Sequence, residues 1–438
     1  MAGGTYTTQN KIRPGVYINF VSEGQLPGTL GERGIASLAL NLDWGVAKKP
    51  ITIVAGDNTL PTLGYDYTAP QMLPVREALK RAHKLIVYRL NDGTPAAVTV
   101  APLTATARYS GVRGNQLAIV VQQNINDEKL FDVITLLDGT NVDTQTVSDA
   151  EQLTTNAYVT FSGKGKPVAT AGAPLTGGTS TTATNADHTA YLAQLEALEF
   201  QTVGLVSDDA SLKSVYAAYI KRLRNTEGKK VQAVLANYPT ADQEGIISVK
   251  NGVVLSDGTV LDAKQTVAWV TGATAGAAVN ASLTYTAYDD AIDVNGKLTH
   301  SETEAALQKG EFLFTAGNDR AVVEQDINTL VSYTPEKARH FAKNRVVRVL
   351  DSIGNDMKRI FESYFIGKVN NNTDGRSLFR SQCVAYLNDL QNIGAVQNFD
   401  AQSDITVTAG NESDSIVVEL NVQPVDSVEK VYMKVKVV

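Results

Sequence analysis

Residues 203–249 read VGLVSDDASLKSVYAAYIKRLRNTEGKKVQAVLANYPTADQEGIISV, and this stretch decides the fold class. Val203–Val206 is a short continuous apolar run, as in a strand buried on both faces. Ser211–Arg224 reads as a helix, and Val231–Leu235 and Gly245–Val249 read as further strands. Strands alternating with helices in this way build an α/β layer structure. Outward from it, Thr189–Leu198 reads as a preceding helix and Asp262–Val279 as a following one. Gly272 and Gly276 stand four apart on the latter, a small-residue stripe where a helix approaches its neighbour closely. Phe312–Phe314 and Ala321–Val323 end the domain as short strands.

The same grammar occurs once before. Pro50–Val54 reads as a strand, Leu73–His83 as a helix with Val75, Ala78, Leu79 and Ala82 at helical spacing, and Leu85–Tyr88 as a buried strand. Together they predict a βαβ unit. Between the halves, residues 92–186 are rich in Thr, Val, Gly and Asn. Short strands are expected at Thr94–Thr106, Gln116–Asn124 and Phe131–Leu137, and the charge-free Pro167–Ala186 reads as a loop. The expectation is an all-β domain inserted into one α/β loop, which the slow growth of loop-closure entropy permits.

The C-terminal third differs again. Thr334-Pro335-Glu336 reads as a helix start, with Thr as cap and Pro in the first turn. An apolar stripe from Ala342 to Tyr364 follows at steps of three and four. Asn370–Gly375 breaks it, and Ser377–Leu390 is a second helix. Ile405–Thr408, Ser415–Asn421 and Lys430–Val438 read as strands. The last alternates, with Val431, Met433, Val435 and Val437 on one face and Lys430, Tyr432, Lys434 and Lys436 on the other. Near the other end, Val16–Val21, with Tyr17, Ile18 and Phe20, reads as a strand detached by a Gly- and Pro-rich loop. Such strands find their partners far away or in another molecule.

At 438 residues the chain exceeds one core, since cores stop growing near ~250–300 residues. Hydrophobic residues at 43% and charged ones at 19% place it in the globular range and exclude wholesale disorder. One cysteine excludes a disulfide framework and Cys-based zinc sites, and four scattered histidines leave little for a metal centre. A net charge of −7 argues against a general nucleic-acid binder. The opening MAGGTYTTQNKIRPGVY has no apolar run, so no signal peptide is expected. No stretch approaches ~20 uninterrupted apolar residues, so no stable membrane insertion is expected either.

Few motifs suggest chemistry. Ala291–Gly296 with Glu302 has part of a calcium-loop spacing, but Ala291 stands where the first acidic ligand belongs, so a strand and Asn-Gly turn is the reading. Gly228-Lys229-Lys230 lacks the rest of a phosphate loop. Gly111–Asn115 reads as a turn, and Cys383 as a small core residue rather than a nucleophile. No catalytic residue, metal or cofactor is assigned. Between Glu336 and Arg380 ten basic residues face five acidic ones. That segment is either a solvated helix face or a basic surface that docks an acidic protein partner.

The chain resembles the tail sheath proteins of contractile injection systems, those of myophage-like prophages and R-type bacteriocins of Gram-positive bacteria. The resemblance is carried by Asp326–Leu330, Thr334–Lys337, Lys343–Arg348, Asn355–Asp356, Gly367–Val369, Asp374–Arg376 and Val428–Val437, with Pro14–Tyr17 and Gly111–Asn115. It implies a multidomain α/β (α+β overall) protein with an inserted all-β domain, a C-terminal helical/β domain and extended strand arms. The expected division is an N-terminal arm (1–25), α/β core (26–91 and 187–332), inserted domain (92–186), tube-facing domain (333–426) and C-terminal arm (427–438). It implies a structural subunit, not an enzyme, that polymerises with itself in helical, six-fold rings around an inner tail tube protein. Baseplate and tail terminator proteins are the further partners, without direct nucleic-acid contact. Contraction without nucleotide hydrolysis then drives the tube through a cell envelope. The arms (Val16, Tyr17, Ile18, Phe20; Val431, Met433, Val435, Val437) are implied to pair between subunits, and Lys337, Lys343, Arg345, Arg348 and Arg359 to meet the tube. The particle is implied to be assembled in the host cytoplasm and released by lysis. The rival classes are an α/β enzyme with a β-rich accessory domain and another self-assembling shell or tube protein.

Overall fold

The structure is a computed structural model that describes residues 2–4, 15–17 and 31–437. It divides into two compact units, Gly31–Asn355 with Pro424–Val438, and Asp356–Gln423 with the N-terminal residues.

In the larger unit the framework elements are β1 (Ile35–Leu40), β2 (Pro50–Val54), α1 (Leu73–Leu79), β3 (Lys84–Arg89), α2 (Asn185–Glu196), β4 (Thr202–Leu205), α3 (Ala210–Asn225), β5 (Gln232–Ala236), β6 (Ile246–Val249), α4 (Ala263–Gly276) and β7 (Glu311–Phe312). They form one seven-stranded sheet in the order β7-β6-β5-β4-β1-β3-β2. All neighbours are parallel except β2, which runs antiparallel to β3 at one edge. Alternate residues of β5 serve opposite faces. Ala233 and Leu235 pack with Tyr191, Leu195, Tyr216 and Ile220 of α2 and α3, while Val234 and Ala236 pack with Val267 and Val270 of α4. This is the expected α/β sandwich.

The predicted βαβ unit needs correction. Its parallel pair is β1 with β3, registered from Ile35↔Lys84 to Leu40↔Arg89, and Pro50–Val54 only lines the edge. Pro50 has no N–H to give a ladder, which suits an edge. β1 (IASLAL) escapes a propensity reading because Ala and Ser carry little strand signal. Its Ser37 is nevertheless buried, bonded to Ile86 O (3.1 Å) and the Tyr191 hydroxyl (2.6 Å).

Residues 97–174 form two sheets. One has the strand order Thr140–Val147, Phe131–Leu137, Leu117–Gln123, Thr170–Pro174, and the other Val159–Gly163, Leu103–Ala107, Ala97–Val100. Phe131–Leu137 alternates buried and half-buried at every step, as a sandwich strand must. The stretch read as a loop over 167–186 in fact holds Thr170–Pro174, paired with Leu117–Gln123 across a register shift. An edge strand that buries little needs no apolar alternation, so composition does not reveal it. Trp44, from the α/β part, is buried in this sandwich's core against Tyr109 and Tyr158.

In the C-terminal part α5 is Asn344–Tyr364, α6 is Thr373–Asn392, and β8 (Ile405–Ala409) and β9 (Ile416–Leu420) make an antiparallel hairpin. In the smaller unit Ile360, Phe365, Phe379, Tyr386, Leu387 and Leu390 are buried. Phe361, Phe365 and Phe379 meet in edge and stacked contacts. The helix expected from Thr334 begins ten residues later. Thr334 instead caps a turn, accepting from Lys337 N (3.1 Å). Before Ala342 the chain has no apolar stripe to bury, so a capping pattern alone does not start a helix. No described helix is long and apolar enough to cross a membrane.

The glycine stripe on α4 has a direct check. A Cβ on Gly272 would lie 2.1 Å from Ala78 O, and one on Gly276 1.9 Å from Arg81 O. Gly272→Val should therefore lower stability by at least ~2 kcal/mol through overpacking, read as an earlier midpoint in chemical denaturation.

Candidate functional site

The stretches Asp326–Leu330, Lys343–Arg348 and Val428–Val437, far apart in sequence, meet in the larger unit. Asp326 is buried. Its Oδ2 accepts from Leu283 N (3.0 Å) and from Arg348 (3.4 Å), and its Oδ1 from Asn344 Nδ2 (2.8 Å). Asn344, which opens α5, also donates its own N–H to Asp326 O (3.0 Å). Arg348 completes its binding on Ala281 O. Asp326 N donates to Thr284 Oγ1 (3.0 Å), and that hydroxyl donates to Glu429 Oε1 (2.9 Å). Glu429 also accepts from Gln325 Nε2 (2.6 Å) and from Lys343. Burial alone would raise the Glu429 carboxyl, but the hydrogen bonds from Lys343 and Gln325 and the Lys343 charge hold it below the usual range.

Glu429 is thus the last fixed point among the described residues. Beyond it Val431, Tyr432, Met433, Val435 and Val437 are 75–96% exposed, and residues 430–437 join no described strand. The strand expected there is absent from the isolated chain. At the other end Gly15–Tyr17, holding Val16 and Tyr17, pairs in parallel with Ala2–Gly4. Ile18 and Phe20 lie outside the described residues. Arg33 donates to Ala277 O (3.2 Å) and Thr274 O (3.5 Å), carbonyls at the end of α4, and to Ser352 Oγ (3.4 Å).

The five basic candidates do not form one free surface. Arg348 is buried and serves Asp326, which corrects its reading as a surface contact. Lys343 is taken by Glu429, and Lys337 donates to Glu244 (2.8 Å). Arg359 pairs with Asp356 at 3.2 Å and stays 40% exposed. Arg345 is half-buried, its Nε lacking a partner among the described residues. Sequence reasoning missed Arg224, whose guanidinium binds Asp351 of α5 through two bonds (2.7 and 2.8 Å), both groups buried.

The decoys resolve into structure. Asp293 pairs with Lys297 (2.8 Å), and Glu302 closes a capping box on Thr299. Cys383 is buried, which pushes its thiol up to about 12. The cavity at the C-terminal ends of β1 and β4, beside His188 and Ser207, is about 210 Å³, below the ~300–1,000 Å³ of small-molecule sites. Gly111 is held at φ +126 with Asp43 O where a Cβ would be, and Asn115 exchanges two hydrogen bonds with Gly178. Arg113 donates to Gly64 O (2.7 Å) and to both oxygens of Asp138 (2.9 and 2.6 Å). The Gly111–Asn115 motif is a joint between the sandwich and the α/β part.

Comparison with known proteins gives a consistent result. Four family models match in succession. They are the tail sheath protein Gp18 domain III N-terminal region (residues 33–90), the phage tail sheath protein beta-sandwich domain (91–184), the phage tail sheath protein central domain (181–329) and the phage tail sheath C-terminal domain (336–438). The phage-like element PBSX protein XkdK of Bacillus subtilis is 40% identical over the whole of both chains. The crystal structure of a sheath tail protein from Desulfitobacterium hafniense is 54% identical, covering 96% of this chain and 99% of that one, with a TM-score of 0.87. That of a Listeria innocua sheath tail protein is 39% identical over 92% and 95%, with a TM-score of 0.81. The contracted helical sheath of the anti-feeding prophage shares the fold alone (12% identical, 97% and 99% covered, TM-score 0.58).

The buried carboxylate should dominate mutational effects here. Asp326→Ala leaves Arg348 uncompensated and is expected to cost ~3–5 kcal/mol. Asp326→Asn, which can still accept from Leu283 N, should cost less, as read by urea denaturation.

Proposed function

We infer how this chain works from one premise: it belongs to the phage tail sheath protein family, as a subunit of a contractile sheath. The subunits polymerise with one another in six-fold helical rings around an inner tail tube. A trigger at the baseplate shortens the sheath and drives the tube through a target envelope, with the terminator closing the other end. The particle is assembled in the host cytoplasm and released by lysis. The work comes from subunit interfaces that improve on contraction, not from a nucleotide; the lack of any phosphate-loop pattern in the sequence supports this.

The observation that carries the reading is the C-terminal arm. Four apolar side chains alternate along it, exposed, beyond a root fixed at Glu429. Ordering each residue costs ~1–2 kcal/mol, and burying each large side chain returns ~1.5–3 kcal/mol. The arm therefore orders only where a preformed strand edge adds backbone hydrogen bonds, ~1 kcal/mol each. A second subunit offers such an edge at the β8–β9 hairpin. It has only two strands, Val417 and Val418 are exposed on it, and Glu412, Asp414 and Glu419 suit Lys430, Lys434 and Lys436. Val16 and Tyr17 of the N-terminal arm belong to the same mesh. The domain boundaries follow this division of labour, with the 92–186 sandwich outermost and the 333–426 part toward the tube. Of the basic candidates, Arg345 and Arg359 remain as contacts to an acidic tube, each worth ~0–1 kcal/mol and so jointly releasable.

Deleting residues 430–438 should change the stability of the soluble subunit by less than ~0.5 kcal/mol and abolish cylinders in negative-stain microscopy. Met433→Asp should do the same. Normal cylinders from either variant, or an unfolded subunit, would sink the arm reading.

A further inference from the structure

Both arms are rooted on one short stretch of the larger unit. Arg33, where the described chain resumes after the N-terminal arm, holds the carbonyls of Thr274 and Ala277. Glu429, where the C-terminal arm leaves, holds Thr284. Between these points Arg348 binds Ala281 O, and Asp326 binds Leu283 N. The first half of α5 is linked to both ends of the stretch, through Arg33 and through Asp326. Its Ser352 accepts from Arg33, while Asn344 and Arg348 bind Asp326, whose own N–H meets the Thr284 hydroxyl. Residues 274–284 read TAGAAVNASLT, almost all small, so arginines reach the backbone carbonyls directly. Charge-assisted bonds of this kind are about twice as strong as neutral ones.

We propose that Arg33 and Glu429 are paired anchors that pass tension from one arm to the other through residues 274–284 and the start of α5. Pull on the arms then bypasses the seven-stranded sheet and the inserted sandwich, which ride along unloaded. Both are positioning residues: each fixes where an arm departs and neither is part of the exposed strand. The proposal rests on the reading of the arms as links between subunits, but the anchoring itself is a property of one chain.

Single-molecule pulling on the full chain, through tags at its two termini, tests it. In the unaltered chain the arms extend first and the anchored stretch then resists. Glu429→Ala and Arg33→Ala should each add an early, low-force extension, in Glu429→Ala of ~20 Å for the peeling of residues 424–429. Hydrogen exchange should rise at least tenfold at 424–429 and 281–284 in Glu429→Ala, and at 31–34 and 274–278 in Arg33→Ala. Exchange at 246–249, in the central sheet, should not move. Glu429→Gln and Arg33→Lys should restore most of the resistance, which excludes simple misfolding. Force curves and exchange identical to the unaltered chain would overturn the anchors even if arm truncation blocks polymerisation. Loss of resistance in the variants would uphold the anchors even if the truncated chain still forms cylinders, in which case the arm reading alone would fall.

Discussion

A negative charge in a place without water organises the larger unit. Asp326 is 1% exposed, and a carboxylate so placed persists only if its lone pairs are met. Arg348, Asn344 and the Leu283 amide meet them, and each obligation shapes the chain. Asn344, bonded to Asp326, opens α5, ten residues after the Thr334 capping pattern, which caps only a turn. Arg348 draws the first turns of α5 inward. The Thr284 hydroxyl, fixed by the Asp326 amide, becomes the seat of Glu429. A second buried pair, Arg224 with Asp351, ties the next turn of the same helix to α3. Removing one partner from such a pair is far more damaging than never having built it, so these residues are held together by mutual need.

Legibility in the sequence followed local pattern. The strands around Val203, Val231 and Gly245 and the helix Ala210–Asn225 were visible because continuous apolar runs and helical spacing have few other readings. β1 was not, since Ala36, Ser37 and Ala39 are buried through packing and a tyrosine hydrogen bond rather than through strand propensity. Thr170–Pro174 was hidden because an edge strand can be polar on both sides. Arg348 looked like its basic neighbours, and only its flanking by Val346, Val347 and Val349 hinted at burial. Glu429 stood in the stretch that carried the resemblance, but its anchoring role gave no local signal, because it depends on residues 86 and 145 positions away. The alternation of Val431 to Val437 was readable at once, yet it describes a strand that the isolated chain does not make.

The inserted sandwich is less independent than its composition suggests. Trp44 completes its core from outside, and Arg113, paired with Asp138 of the sandwich itself, reaches back to Gly64 and Tyr65. Excision would leave a tryptophan bare, so the boundary in sequence is not the boundary in packing. The expectation that loops tolerate insertion holds for entropy, while the interface is set by a few large side chains.

The position of Glu429 has a geometric consequence. The described residues beyond the clamp are 430–437, and an extended chain advances at most ~3.3–3.6 Å per residue. A partner that grips these residues is therefore held within ~29 Å of Glu429. Under the proposed pairing of arms between subunits, neighbours could turn, slide and change their faces only inside that radius, so a rearranging lattice would keep its order of connection while its shape changed.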